Sequence, residues 1–117
     1  MNAAEIYAAR LGWPVVPLHD VTAGHCSCVK GADCPSAGKH PRLNAWVDEA
    51  TNDVETVRGW IEQWPGMNTG VATGRLFTVL DVDDERGAAS LAALEAEHGA
   101  LPLTVKQRTG SGSFQLF

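Results

Sequence analysis

"LFTVLDVDDERGAASLAALEAEHG", residues 76–99, holds the sharpest change of pattern in the chain. Its opening part, "LFTVLDVD" (76–83), is rich in β-branched and large apolar residues and reads as the strongest strand. From residue 87 the composition turns to alanine, leucine and glutamate, which give up little conformational freedom in a helix, and Gly99 can end that helix. A strand therefore runs almost directly into a helix, with a cluster of acids at the junction.

The flanking segments repeat the alternation. Residues 2–11, "NAAEIYAARL", have apolar positions at roughly helical spacing, and Gly12 can close the helix. "WPVVPL" (13–18) follows as a short buried strand. In "TNDVETVRGWIEQW" (51–64), Thr51 or Asp53 can cap a helix whose stripe is Val54, Val57, Trp60, Ile61 and Trp64. Trp60 and Trp64 at this spacing read as core, while Trp46 is left open between core and base stacking. "MNTGVATG" (67–74) gives a short strand, and "LTVKQRTGSGSFQLF" (103–117) gives strand, glycine turn and strand. Helices alternating with strands predict one sheet and a few covering helices, in an α/β or α+β arrangement.

The 117 residues suit one compact domain. No apolar run approaches the roughly 20 residues of a spanning helix. The N-terminus, with Glu5 early and no basic start, lacks a secretory pattern, so the cytoplasm is the expected location. A net charge of −5 argues against a passive coat on nucleic acid. It does not argue against an enzyme whose carboxylates gather divalent cations, because those ions restore positive charge locally.

All three cysteines lie in "CSCVKGADCPSAGKHPR" (26–42), inside an aperiodic stretch from His19 to Asn44. In a reducing compartment, clustered thiols point to metal before disulfide. Cys26, Cys28, Cys34 and His40 form a donor set of the kind that holds structural zinc. Ligation would also supply the free energy that orders so long a loop. His19 or His25 could replace one of these ligands. Lys39 and Arg42 place two cations beside the same turn, where a phosphate could sit or where both could be ordinary solvated charges. A phosphate-binding loop is excluded, since Asp33 and His40 stand where that motif needs glycine and Ser or Thr.

Asp81 and Asp83 are two apart on the strand, so both carboxylates project from one face. Like charges this close call for a neutralising cation, and such a pair is the usual frame of a two-metal phosphoryl or nucleotidyl transfer site. The competing reading is that Asp83 or Asp84 caps the following helix. A calcium loop is excluded by Arg86 and Ala92 at its obligatory glycine and glutamate positions. "TGSG" (109–112) offers backbone amides that could form an anion nest or simply a hairpin turn.

The order "GWPVVPL", "CSC…DCPSAGKHPR", "WVDEATND", a tryptophan-bearing helix, "NTGVATG", "VLDVD", "LP…T", "TGSG" resembles the N-terminal part of the bifunctional DNA primase/polymerase (prim-pol) domain, within the archaeo-eukaryotic primase superfamily. The resemblance covers essentially the whole chain, residues 1–117. It implies an α+β fold with a mixed or antiparallel sheet of RNA-recognition type, covering helices, and a zinc-stabilised stem at about 19–44. It also implies template-directed nucleotidyl transfer in replication priming, on a single-stranded DNA template with NTPs or dNTPs. Such proteins are often encoded by plasmids or phages, with a replicative helicase in cis or in trans.

By the same resemblance Asp81 and Asp83 would be catalytic ligands of Mg²⁺ or Mn²⁺, and Cys26, Cys28, Cys34 and His40 the ligands of structural Zn²⁺. Lys39, Arg42, Ser111, Gly112 and Gln115 would face the nucleotide. At position 115 the family usually has a histidine, and glutamine donates a hydrogen bond without charge. The family's third acidic ligand lies on a later strand than Phe117, which reads as a fragment inactive by itself. The alternatives are a non-catalytic remnant that binds nucleotide, nucleic acid or a partner, and a zinc-stabilised interaction domain whose acids only cap a helix.

Overall fold

A computed structural model describes residues 1–117, in two compact units, Met1–Ala72 and Thr73–Phe117. In the first unit, α1 (Ala3–Leu11) begins with reciprocal capping: the Asn2 side chain accepts from Ala4 N–H while Glu5 accepts from Asn2 N–H. Gly12 ends α1 in the left-handed region at φ 65°. Strand β1 (Val15–Leu18) follows, and its residues Val15, Val16 and Pro17 are all buried.

Alternation along β1 accounts for that burial. Val15 enters a cluster with Ala4, Ala8, Val57 and Met67, covered by Tyr7, Trp60, Ile61 and Trp64. Val16 enters a second cluster with Ala50 and Ala72 on the other side. A strand covered on both faces loses the polar half of its pattern, as "WPVVPL" does. The tryptophans of α3 (Val54–Gln63 and its C-cap Trp64) thus serve the core, and Asp53 caps α3 by accepting from Thr56 N–H at 2.9 Å. The short helix α2 (Trp46–Glu49) precedes it, with Trp46 exposed.

The long loop contains a short hairpin, β2 (Val21–Thr22) with β3 (His25–Cys26), a 3₁₀ turn at Gly31–Asp33, and an antiparallel bridge of Pro41 to Leu18 of β1. Strand β4 (Asn68–Val71) then pairs antiparallel with β1, with Val15 opposite Val71.

The second unit consists of β5 (Leu80–Val82), α4 (Asp84–His98), β6 (Lys106–Arg108) and β7 (Phe114–Leu116), with antiparallel strand order β5-β7-β6. Its register gives the sheet two unlike faces. Leu80, Val82, Phe114 and Leu116 share one face, and Asp81, Gln115 and Gln107 share the other. Helix α4 lies on the apolar face, close enough that a Cβ at Gly87 would stand 3.5 Å from Val82 Cγ1.

The fold is α+β with antiparallel pairing, and the strands pair as three small sheets instead of one. The strand expected over residues 76–83 is confined to Leu80–Val82. Upstream, Gly74 N–H bonds to Phe77 O in a turn. Apolar composition proposed a longer strand, and this turn interrupts it.

Candidate functional site

Two groups of side chains carry chemistry, one in each unit. In the first, the 3₁₀ turn and hairpin fold the loop back so that Cys26, Cys28, Cys34 and His40 present their ligand atoms within 4.8 Å of one another. His40 Nε2 is 3.5 Å from both Cys26 Sγ and Cys34 Sγ. Tetrahedral zinc, with Zn–S of about 2.3 Å and Zn–N of about 2.0 Å, requires an S···N edge of about 3.5 Å. The donor set therefore fits zinc in type, number and spacing.

Local structure explains this convergence. Gly38 is buried at φ 70°, and a Cβ there would stand 3.0 Å from Val21 and 3.1 Å from Asn68, so the turn before His40 accepts only glycine. Asn68 on β4 bonds to Gly38 O and His19 O, fastening the loop to the sheet. Burial pushes the Cys26 thiol up, but hydrogen bonds from the backbone of Cys28 and Gly38 and from His40 outweigh it and bring Cys26 down to about 6. Burial and the neighbouring Cys28 and Cys26 sulfurs push Cys34 up instead.

The other histidines and the loop cations are placed differently. His19 stacks on His40, with ring centroids 4.4 Å apart, and its Nδ1 meets Ser27 Oγ at 2.8 Å. His25 lies outside the donor cluster. Lys39 is exposed on the loop surface. Arg42, whose side chain is 10% exposed, donates from Nε to Leu18 O, pairs with Asp20, bonds Ser27 Oγ at 2.9 Å and lies over the Trp64 ring. These contacts make Arg42 a brace between the metal loop, β1 and the end of α3. The Arg42–Asp20–Ser27 network was not legible in sequence, since Ser27 and Asp20 lie 15 and 22 residues from Arg42.

In the second unit, Asp81 and Asp83 flank buried Val82, and Asp83 keeps extended angles, φ −98° and ψ 127°. Both acids are exposed, and Asp81 lies on the face of the sheet that α4 leaves uncovered. Asp83 makes no capping bond. Asp84 caps instead: its Oδ1 accepts from Arg86 N–H at 2.8 Å and Gly87 N–H at 3.2 Å, from a left-handed backbone at φ 53°. Of the two acids that could cap the helix, Asp84 is therefore the one that does.

Gln115 is the register partner of Asp81 across β5 and β7. The β6–β7 turn lies at the Asp83 end of the same sheet: Thr109 N–H bonds Ser113 O, Gly112 N–H bonds Thr109 O, and Ser113 Oγ accepts from Asp84 N–H. Ser113 thus ties this turn to the start of α4, whose first N–H groups are taken up by Ser113 and Asp84. The family profile of bifunctional DNA primase/polymerase, N-terminal, matches residues 4–117.

The chain belongs to the bifunctional DNA primase/polymerase family.

No curated protein and no solved structure matches it. For this prim-pol chain, the match spans both the cysteine cluster and the carboxylate face. Hard oxygen donors such as Asp81 and Asp83 fit Mg²⁺ or Mn²⁺, whereas the sulfur-rich cluster fits zinc. No helix is long and apolar enough to cross a membrane. One member of the polar face went unseen in sequence, Gln107, whose amide bonds that of Gln115 at 2.7 Å. The available signal was its place in "KQR", the central residue of a strand across a glycine turn from Gln115.

Proposed function

We propose that this chain carries the nucleotide-binding and metal-binding face of a primase-polymerase, which joins nucleotides on a single-stranded DNA template. The observation that supports it most is the division of labour at "DVDD": Asp84 accepts the capping bonds, while Asp83 makes none and both Asp81 and Asp83 are exposed. Two neighbouring carboxylates repel unless a cation lies between them. Mg²⁺ or Mn²⁺, when bound, would lower the charge on the triphosphate and favour departure of pyrophosphate.

The chain's own residues then have defined tasks. Asp81 and Asp83 hold the cation and fix the triphosphate at the tip of β5. Gln115 donates an amide hydrogen to a phosphate or sugar oxygen. Ser111 and Gly112 offer the turn that meets the triphosphate. Lys39, exposed on the metal loop, is a phosphate contact of its own unit. Cys26, Cys28, Cys34 and His40 hold structural zinc, which orders that loop and takes no part in transfer. Single-stranded template, NTPs or dNTPs, and a replicative helicase are the partners this reading assigns.

A second reading, nucleotide binding without transfer, is favoured by Gln115, which cannot carry charge to the triphosphate. Mn²⁺ titration followed by primer extension with Mn²⁺ and dNTPs separates the two. Transfer requires Mn²⁺ binding that Asp81→Asn removes, together with incorporation that the same change abolishes. Binding without incorporation leaves the second reading. Mn²⁺ binding unaffected by Asp81→Asn sinks both.

A further inference from the structure

We infer that Gln107 is a positioning residue that fixes the Gln115 amide as a hydrogen-bond donor beside Asp81, a role that rests on the nucleotide-binding reading of this face. Gln107, Gln115 and Asp81 stand in one row across β6, β7 and β5, because Gln115 is the register partner of both others. Direct cross-strand partners on one face have Cβ atoms about 5 Å apart, within reach of each other's side chains. Gln107 Nε2 donates to Gln115 Oε1 at 2.7 Å.

That bond decides which end of the Gln115 amide is left for other partners. A glutamine amide presents one acceptor and one donor group, and its orientation follows from its neighbours. With Oε1 turned toward Gln107, Nε2 is the end of the amide that points away from it. The carboxylate on the other side demands the same orientation, since Asp81 only accepts hydrogen bonds when ionised. Reversing both amides would turn Gln115 Oε1 toward a negative charge. The row therefore has one favoured polarity, donating from Gln107 through Gln115 toward the metal-binding acids and the phosphate oxygens they attract.

Gln107 is exposed on the edge strand β6, so its replacement leaves the sheet and the acids in place. The test uses the full chain with Mn²⁺ and dATP as probe, and substitutes Gln107→Leu and Gln107→Glu, each alone and with Gln115→Leu. Glutamate at 107 can only accept, so it draws Gln115 Nε2 toward itself and turns Oε1 outward. Loss of one oriented hydrogen bond is expected to weaken dATP binding about fivefold for Gln107→Leu, and by about tenfold for Gln107→Glu.

In the Gln115→Leu background both effects should shrink to less than about twofold, because the pathway through Gln115 is gone. An effect of charge or of local folding would persist in that background, and persistence overturns the inference. Equal affinity of wild type and both single variants also overturns it while leaving the site intact. Failure of the wild-type chain to bind dATP with Mn²⁺ sinks the reading of the face and the role of Gln107 together.

Discussion

Asp84 caps α4 and its neighbour Asp83 does not. Stability and metal binding should therefore separate at adjacent residues. Asp84→Ala removes both capping bonds and leaves a non-glycine Cβ in the left-handed region, at a cost of about 1–2 kcal/mol. Asp84→Asn, which still accepts and tolerates that conformation, should lie near wild type. Asp83→Asn should leave stability unchanged or slightly raised without metal, since it removes one of two like charges. Thermal melts paired with Mn²⁺ titration check this: Asp83→Asn should lose Mn²⁺ affinity at unchanged melting temperature, and Asp84→Ala the reverse.

The cysteine loop should depend on its metal for order. Purified chain is expected to contain about one zinc, and a strong chelator should lower the melting temperature of the first unit. Cys34→Ala should have the same effect with no chelator present. Metal analysis and hydrogen exchange over residues 19–44 report on it directly. A loop that keeps its protection after zinc removal would show that Arg42 and Asn68 hold it alone.

Arg42→Lys should be costly although charge is conserved. Lysine keeps a point charge but cannot bond Leu18 O, Asp20 and Ser27 together while lying flat over Trp64. The expected loss is about 1–3 kcal/mol, measured by denaturant unfolding.

Much of this architecture is readable in the residues, and the losses have local causes. The helices α1 and α3 were legible from their apolar spacing and from Gly12 and Asp53 at their ends, whereas the Asn2 cap emerged only in the structure. The thiol–imidazole cluster was legible because three thiols and an imidazole crowded into one aperiodic loop match the donor set of a tetrahedral site. Strand β5 was overestimated because apolar composition measures tendency, whereas a turn at Gly74–Phe77 takes up the upstream residues. The cap at Asp84 could not be chosen over Asp83, since the two share a side chain and differ only in a backbone angle set by the fold. Gln107 was invisible because its significance lies in register with Gln115, and register is a property of the turn between them.

Acid should weaken the first unit through Glu5. The Arg58 guanidinium and then the Asn2 backbone N–H hold this carboxyl below its ordinary value. A depressed carboxylate stabilises the fold above its unfolded pKa, and that contribution is lost as pH falls through the lower, folded value. Stability should therefore decline below about pH 4.5, the ordinary glutamate value. Glu5→Gln should flatten the decline, as urea unfolding followed across the acid range would show. An unchanged profile would place the acid sensitivity elsewhere, with Asp53 as the next carboxyl held low, by Thr56.

Replacing Gln115 with histidine should make nucleotide binding pH-dependent. In the wild-type chain the donor at this position is a neutral amide, so its bond to an anion is insensitive to pH between about 5 and 8. An imidazole titrates near 6.5, so the charged donor is present below that transition and lost as pH rises through it. Gln115→His should thus bind dATP more tightly than wild type near pH 6 and lose that advantage toward pH 8. Because the nucleotide's terminal phosphate also titrates in this range, the quantity to follow is the ratio of variant to wild-type affinity at each pH. A ratio constant across the range would place position 115 out of contact with the triphosphate, and the polar row on β6, β7 and β5 would then have a purely structural role.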